Sequence, residues 1–343
     1  MVKCYLRKNL SKNKNTYLAK QIVAWYQISG RKDLPWRKNI SVYKIWISEI
    51  MLQQTQVATV IPYFKRFIRE YPSLRSLIKA SEDDILALWS GLGFYRRAKN
   101  IFLAKEKINQ DFKGRFPKNF DDILSLPGIG QSTAGAISSI ALNNPYPILD
   151  ANVKRVLKRF YGKDFGEKEL WNLSSMATPQ KNVFEYTQGI MDIGAIICTS
   201  KKKDCDLCPL KSKCSSKNIP IAKKIAFKKI NPTHNLKYKL LVYKKKYLLF
   251  KKTDKTFWDG LWVPAEDQIK NYIKNIKTQR STKVTHKLSH LNLKINIDII
   301  YVNKIESIRT NRAHKWVAFN EIEKIAIPAP IKKVINNEQN YSL

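Results

Sequence analysis

Between Ile45 and Phe64 the chain reads IWISEIMLQQTQVATVIPYF, an apolar run that holds one charge, Glu49. Downstream, IPYFKRFIREYPSLRSLIKASEDDILALWSGLGFYRRAKNIFLAKEKI repeats apolar residues every three or four positions, the period of a helix with one buried face. From about Tyr17 to Lys217 this pattern predicts helical segments joined by short turns. Breaks are expected at Pro35, Pro62, Pro72, Gly91, Pro117, Pro127, Pro145 and Pro147. Ser81 and Asp121 are the expected helix caps. After Cys214 the period lapses, and SSKNIPIAKKIAFKKINPTH has the mixed character of a linker. Beyond it, YKLLVYKKKYLLFKK predicts a β-hairpin and HLNLKINIDIIYV alternates apolar and polar positions as a strand does. The pattern therefore predicts a multi-domain chain: an all-α domain over 1–217, a linker over 218–233 and an α+β domain over 234–343.

Charge adds a partner to this outline. Lysine and arginine number 63 against 27 acidic residues, a net charge of +36. Abundant Lys, Ile and Asn are also what AT-rich coding produces, but the consequence is the same from either source. So positive a field favours a polyanion, and nucleic acid is the foremost one. The basic start has no apolar core behind it, so no secretory signal is expected. The run at Ile45–Phe64 carries too many polar residues, with Pro62, for a span of about 20 apolar residues. No membrane partner is expected, and the chain reads as a cytoplasmic monomer that associates with the nucleoid through DNA. Of five cysteines, four fall between Cys198 and Cys214, a grouping that suits a metal site in a reducing compartment better than a disulfide framework. Cys4 lies apart as a free thiol.

Three stretches could carry chemistry. CTSKKKDCDLCPLKSKC is C-x6-C-x2-C-x5-C, four thiols able to hold either a tetrahedral zinc or a [4Fe–4S] cluster. Structural zinc sites usually show two C-x2-C pairs, and here there is one. Lys201, Lys202, Lys203, Lys211 and Lys213 in the same loop could meet phosphates. In LPGIGQSTAGAI, Gly128 and Gly130 allow a sharp turn and a close approach, and the following helix aims free N–H groups at the turn. An ordinary helix–turn–helix corner would read the same way. Glu49, finally, would have a raised pKa if buried among Ile45, Ile50 and Leu52, or would lie at the surface beside Lys44.

A helix–hairpin–helix at about 121–140 followed by this cysteine spacing over 198–214 resembles the endonuclease III superfamily of DNA base-excision glycosylases, over roughly residues 17–217. The resemblance implies a two-lobed all-helical fold and a [4Fe–4S] cluster on Cys198, Cys205, Cys208 and Cys214. Bifunctional members carry a lysine nucleophile two residues after the second hairpin glycine; Ser132 stands there, and a serine cannot form the Schiff base of lyase chemistry. WISEIMLQQTQVATVIPYF, LWSGLGFYRRAKN, GRKDLPWR and PILDANVKRVL are similar to segments of the MutY-type adenine DNA glycosylases. That branch implies Glu49 as the acid that protonates adenine, Asp150 as the anion that steadies an oxocarbenium-like sugar, and Asn152 as a group positioning sugar or water. Asp150 could equally be the cap of a helix starting near Asn152. The resemblance also implies a flipped base, Gln53 and Gln54 at the gap it leaves, DNA contacts by Phe94, Tyr95, Gly128, Gly130 and Ser132, and an adenine pocket at Lys32, Leu34 and Trp36. Trp36 could instead be plain core.

The C-terminal part resembles the Nudix-like tail of that branch through TFWDGLWVPAE. Glu266 is the only glutamate between that turn and position 300, too few for the clustered glutamates a magnesium-dependent pyrophosphatase needs. Ser289 and His290 in THKLSHLNLK match the family's loop for 8-oxoguanine. Phe94 stands for a usual tyrosine, Leu288 for a phenylalanine and Ala151 for a glycine. The expected substrate is double-stranded DNA holding adenine opposite 8-oxoguanine or guanine, with excision and no strand cleavage. Two rivals share some of these features: a mismatch thymine or uracil glycosylase, and a DNA-binding regulator with a cluster and no catalysis.

Overall fold

A computed structural model describes residues 2–217, 219–220, 231–254, 256–266, 279–288, 291–303 and 310–339, with side chains from Asn13 onward. Helices run α1 (Val2–Ser29), α2 (Val42–Leu52), α3 (Val57–Glu70), α4 (Leu74–Ile78), α5 (Glu82–Trp89), α6 (Arg96–Asp111), α7 (Phe120–Leu124), α8 (Gln131–Ala141), α9 (Ala151–Tyr161), α10 (Glu167–Ala177) and α11 (Val183–Asp192). Strands follow as β1 (Thr233–Tyr243), β2 (Lys246–Lys251), β3 (Trp262–Val263), β4 (Ala265–Glu266), β5 (Arg280–Lys287), β6 (Asn292–Tyr301) and β7 (His314–Ala318), and α12 (Ala329–Gln339) ends the order. By contacts the chain forms two compact units: Met1–Lys79 with Leu103–Lys224, and Ala80–Phe102 with Ile225–Leu343.

In the first unit α2 is buried nearly all round, through Tyr43, Ile45, Trp46, Ile47, Ile50 and Met51. Such a helix belongs in a core rather than on a surface. It packs on α3 and α8, while α11 packs on α1 and α8. Its first turn is fixed by Ser41, whose hydroxyl accepts from the Lys44 N–H at 3.2 Å. Pro62, expected to break the chain, lies inside α3. A proline there costs about 3 kcal/mol, but Val60, Phe64 and Phe67 of the same helix are buried. Each such burial returns about 1.5–3 kcal/mol, so packing carries the helix through. Ser81 caps α5 as expected, in a reciprocal capping box with Asp84. Asp121 does not cap α7: Asn119 does, accepting from the Asp121 N–H at 2.9 Å, and Asp121 sits in the first turn where its charge suits the helix dipole.

The second unit is built on a mixed sheet of order β3-β2-β1-β6-β5, with β4 on β1 and β7 on β2. β1 and β6 are parallel from Thr233↔Asn292 to Val242↔Tyr301, while β5 pairs antiparallel with β6. The predicted hairpin is β1–β2, closed by Lys244 and Lys245, both at positive φ (40° and 58°), as a two-residue hairpin turn requires. Leu240, Leu241, Leu248, Leu249, Ile297 and Ile299 are fully buried. α5 and the turn after it belong to this unit. Trp262 donates its indole N–H to Asp83 (3.2 Å), Lys251 pairs with Asp83 (2.9 Å), Ser90 donates to the Ile327 carbonyl (3.0 Å) and Lys99 pairs with Asp259 (2.5 Å). Among the described residues no helix is long and apolar enough to cross a membrane.

Candidate active site

Glu49 is half-buried on α2, and Asp150 stands at the start of α9. Lys44, the surface partner considered for Glu49, donates instead to the Asn39 carbonyl at 3.2 Å. Burial, reinforced by the charge of Asp150 and opposed by Arg37, raises the Glu49 carboxyl to about 7. Burial also raises Asp150, but the N–H groups of Val153 and Asn152 and the charges of Arg155 and Lys154 work against that rise. The Val153 N–H lies 2.7 Å from Asp150 Oδ1, so Asp150 does cap α9. Burial thus raises both carboxyls, and Asp150 is in addition supplied with N–H donors that favour its ion.

The backbone before Asp150 is placed by α8. A Cβ at Gly135 would meet the Pro147 carbonyl oxygen at 2.3 Å, so only glycine lets α8 lie against this strand of chain. Ser132 completes the attachment: its hydroxyl accepts from the Leu149 N–H at 2.9 Å. Leu149 is only 4% exposed, and an orphaned buried N–H costs about 1–3 kcal/mol. Ser132→Ala should therefore lower the melting temperature measurably, whereas Ser132→Thr, which keeps the hydroxyl, should lower it less. Gly128 adopts φ 81°, but Gly130 sits at φ −91°, and a Cβ added there would meet nothing within 4 Å. The turn requires the first glycine alone. Among the described residues nothing excludes a side chain at the second.

Asn152 is held by Arg155, whose Nη2 donates to Asn152 Oδ1 (2.6 Å) and to the Gly194 carbonyl (2.5 Å), while its Nε donates to the Cys198 carbonyl (2.8 Å). Arg159, one turn on, donates to Cys198 Sγ (3.2 Å) and to the Thr199 carbonyl (2.7 Å). Cys198, Cys205, Cys208 and Cys214 are all free thiols and line one cavity with Arg159. Among the described residues no three His, Cys, Asp or Glu side chains group as ligands of a single ion. Four thiols around one cavity are a soft donor set of the kind that holds a zinc or an iron–sulfur centre. Of the loop lysines, Lys203 turns inward and donates to the Ser216 carbonyl at 2.8 Å, and Lys202 pairs with Asp204 at 2.8 Å.

The remaining expectations fall out unevenly. Gln53 reaches the hairpin, with its amide 3.4 Å from the Gly128 carbonyl and from Thr133 Oγ1. Gln54 is exposed in a left-handed conformation just past the end of α2. Leu34 and Trp36 are buried, Trp36 edge-on to Phe64 at 5.5 Å, and exposed Lys32 donates to the Gln27 carbonyl at 2.5 Å. In the other unit Phe94 is 46% exposed and Tyr95 Oη accepts from the Gly91 N–H at 3.2 Å. Ser289 and His290 lie outside the described residues, as does most of the linker.

Sequence reasoning missed Asp192. It is fully buried at the end of α11 and bound by Arg37 (2.6 and 2.9 Å) and Arg31 (2.5 and 2.9 Å), with the Arg31 N–H adding a bond at 3.0 Å. Burial pushes its proton affinity up, but the two guanidiniums pull it lower still, so it stays ionised. Arg37, the cation that Glu49 feels, is thereby neutralised in part. The signal was available: Asp192 is as solitary in TQGIMDIGAIICT as Glu49 is in its own run.

Residues 47–172 match the profile of the HhH-GPD superfamily base excision DNA repair proteins, and residues 238–337 match that of a NUDIX domain. The adenine DNA glycosylase of Buchnera aphidicola subsp. Acyrthosiphon pisum (strain APS) is 42% identical, the alignment covering 94% of this chain and 97% of the relative. That of Buchnera aphidicola subsp. Schizaphis graminum (strain Sg) is 40% identical over 92% of this chain and 96% of its own length. Among solved structures, a thermostable thymine-DNA glycosylase is similar with a TM-score of 0.56 at 28% identity, over 60% of this chain and 97% of that one. The fold is thus that of a helix–hairpin–helix base-excision repair protein joined to a Nudix-like domain. The chain belongs to the adenine DNA glycosylase family, hydrolases of the N-glycosidic bond.

Proposed function

We propose that the protein excises adenine mispaired with 8-oxoguanine or guanine in double-stranded DNA, protonating the base from Glu49 and steadying the departing sugar at Asp150. The observation that carries this reading is a pair of desolvated carboxyls, Glu49 raised to about 7 beside Asp150, whose own rise is opposed by the Val153 and Asn152 N–H groups and by Arg155 and Lys154. Adenine leaves poorly as an anion. The Glu49 proton passes to the flipped base, the bond from C1′ to the base nitrogen breaks with its electrons going to adenine, and positive charge spreads over C1′ and the ring oxygen. Asp150 offsets that charge, as an anion does in glycoside hydrolysis. Water then adds at C1′, its proton returning to the Glu49 carboxylate left by the first step, with Asn152, held by Arg155, in a position to orient sugar or water. An abasic site remains. Ser132 is engaged with Leu149 and has no amine, so the protein is monofunctional.

DNA contact falls to Gln53, Gln54, Phe94, Tyr95, Gly128, Gly130 and Ser132. The open space at Gly130 is what a site pressed against a phosphate backbone needs. Lys32, Leu34 and Trp36 serve the adenine pocket. Cys198, Cys205, Cys208 and Cys214 hold a [4Fe–4S] cluster, which fastens the loop that Arg155 and Arg159 tie to α9. The helical glycosylase domain spans 1–217, a linker 218–233, and the Nudix-like domain 234–343 reads the partner base with Ser289 and His290. Glu266 is paired with Arg312 (3.1 Å) and Lys252 (3.6 Å), which suits recognition rather than magnesium-dependent hydrolysis. The protein acts as a monomer in the cytoplasm, on the nucleoid.

A thymine-DNA glycosylase is similar over 60% of this chain, so excision of thymine is the rival reading. Duplexes carrying adenine or thymine opposite 8-oxoguanine or guanine decide between them. Alkali-dependent breakage at adenine is expected. Breakage at thymine instead, or breakage without alkali, would refute the substrate or the monofunctional assignment respectively.

A further inference from the structure

Phe94 sits on a turn that requires support. α5 ends at Trp89, and before α6 begins the chain passes through Gly91 at φ 96°, Gly93 at φ 79° and Phe94 at φ 49°. The glycines accept these angles freely. A bulky aromatic residue does not, and holds such a conformation only where its surroundings over-determine it. Phe94 is also 46% exposed, so burial of its own ring is a weak restraint.

The restraint lies beneath it. The Arg97 guanidinium stands 5.4 Å from the Phe94 ring centroid and 5.3 Å from that of Trp89. Trp89 is fully buried and Arg97 is only 7% exposed. Arg97 Nη2 donates to the Gly93 carbonyl at 3.2 Å, and the Trp89 indole N–H donates to the same oxygen at 3.0 Å. The Arg97 N–H closes the turn onto the Phe94 carbonyl at 2.9 Å. A desolvated cation between two rings is attracted to both, and a planar guanidinium can stack while its edge donates. Burial lowers the Arg97 pKa to about 10, which leaves it charged at neutral pH.

We propose that Arg97 is a positioning residue that presets the Phe94 ring for insertion between DNA bases, clamping it against Trp89 before DNA arrives. This rests on the reading above that Phe94 contacts DNA. Arg97 itself touches no substrate. Its part is to remove the freedom the ring would otherwise lose on binding, which is how preorganisation favours a complex. A surface helix residue needs none of this: two aromatic neighbours, a shared carbonyl and near-complete burial of a guanidinium.

The test uses the full-length protein and a duplex with 2-aminopurine, which brightens when unstacked, beside the guanine of an A:G mispair. Wild type should brighten the probe on binding. Phe94→Ala should abolish the response. Arg97→Met, which keeps the stem but not the charge, and Arg97→Lys, which keeps the charge but not the plane, should each weaken the equilibrium response roughly tenfold. Combined with Phe94→Ala, neither should weaken duplex binding beyond what Phe94→Ala alone does, and single-turnover excision at saturating enzyme should suffer less than binding. An unchanged response in Phe94→Ala would remove the wedge and this inference with it. A response lost in Phe94→Ala yet intact in both Arg97 variants, or additive losses of duplex affinity in the double variants, would overturn the clamp alone. Should Arg97→Met not fold, Arg97→Lys carries the same comparison.

Discussion

Glu49→Gln is expected to reduce adenine excision by about 10²–10⁴-fold, the usual worth of a general acid, while leaving mismatch binding intact. Single-turnover kinetics with a gel-shift control measure both. The same carboxyl sets the pH profile. With its pKa near 7, the protonated donor disappears above neutrality, and the wild-type rate should fall by about tenfold per pH unit there. Stability should show the converse. The folded state holds this proton more tightly than the unfolded chain, whose glutamate titrates near 4.5. Stability is therefore unaffected below pH 4.5, declines as pH rises to 7, and is lower by up to about 3 kcal/mol above that. Glu49→Gln removes the penalty, so the inactive variant should be the more stable protein at pH 8 and no more stable at pH 4. Equal melting curves for the two at pH 8 would mean that Glu49 is not held in a desolvated site.

Asp150→Asn separates capping from catalysis. Asparagine caps helices about as well as aspartate, so α9 should remain intact and thermal unfolding should change little. The anion facing the sugar is gone, and excision should fall by about 10²–10³-fold, as when a transition-state electrostatic partner is removed. A second readout follows from the coupling between the carboxyls. Asp150 raises the proton affinity of Glu49, so the residual activity of Asp150→Asn should decline from a lower pH than the wild type. A large rate loss with the pH profile unmoved would place the two groups apart.

What was visible in the amino-acid order depended on how local the cause was. Glu49 stood out because a lone carboxylate in an apolar run has few bland explanations, and the cysteine spacing is a matter of a few residues. The hairpin β1–β2 announced itself by two apolar runs on either side of a short lysine stretch. Asp192 obeys the same rule as Glu49, but its partners Arg31 and Arg37 come from far upstream, and nothing near it says so. The attachment of Ser132 to Leu149 is equally non-local; read as an absent lysine, the position suggested only what chemistry is missing. Pro62 misled because proline's local cost is fixed whereas the burial that offsets it is tertiary. Gly128 and Gly130 look equivalent in GIG, yet only the first has a backbone that needs glycine.

Residues 80–102 fall within the match to the base-excision repair superfamily, yet they are fastened to the Nudix-like part by Asp83, Ser90 and Lys99. The turn bearing Phe94 is anchored just before it at Ser90 and just after it at Lys99. Amino-acid changes at Trp262, Asp259 or Ile327 would thus register as altered handling of the duplex even though none of them need meet a nucleotide. In the history of such a protein, substitutions drifting on one side of these bonds would be answered by substitutions on the other.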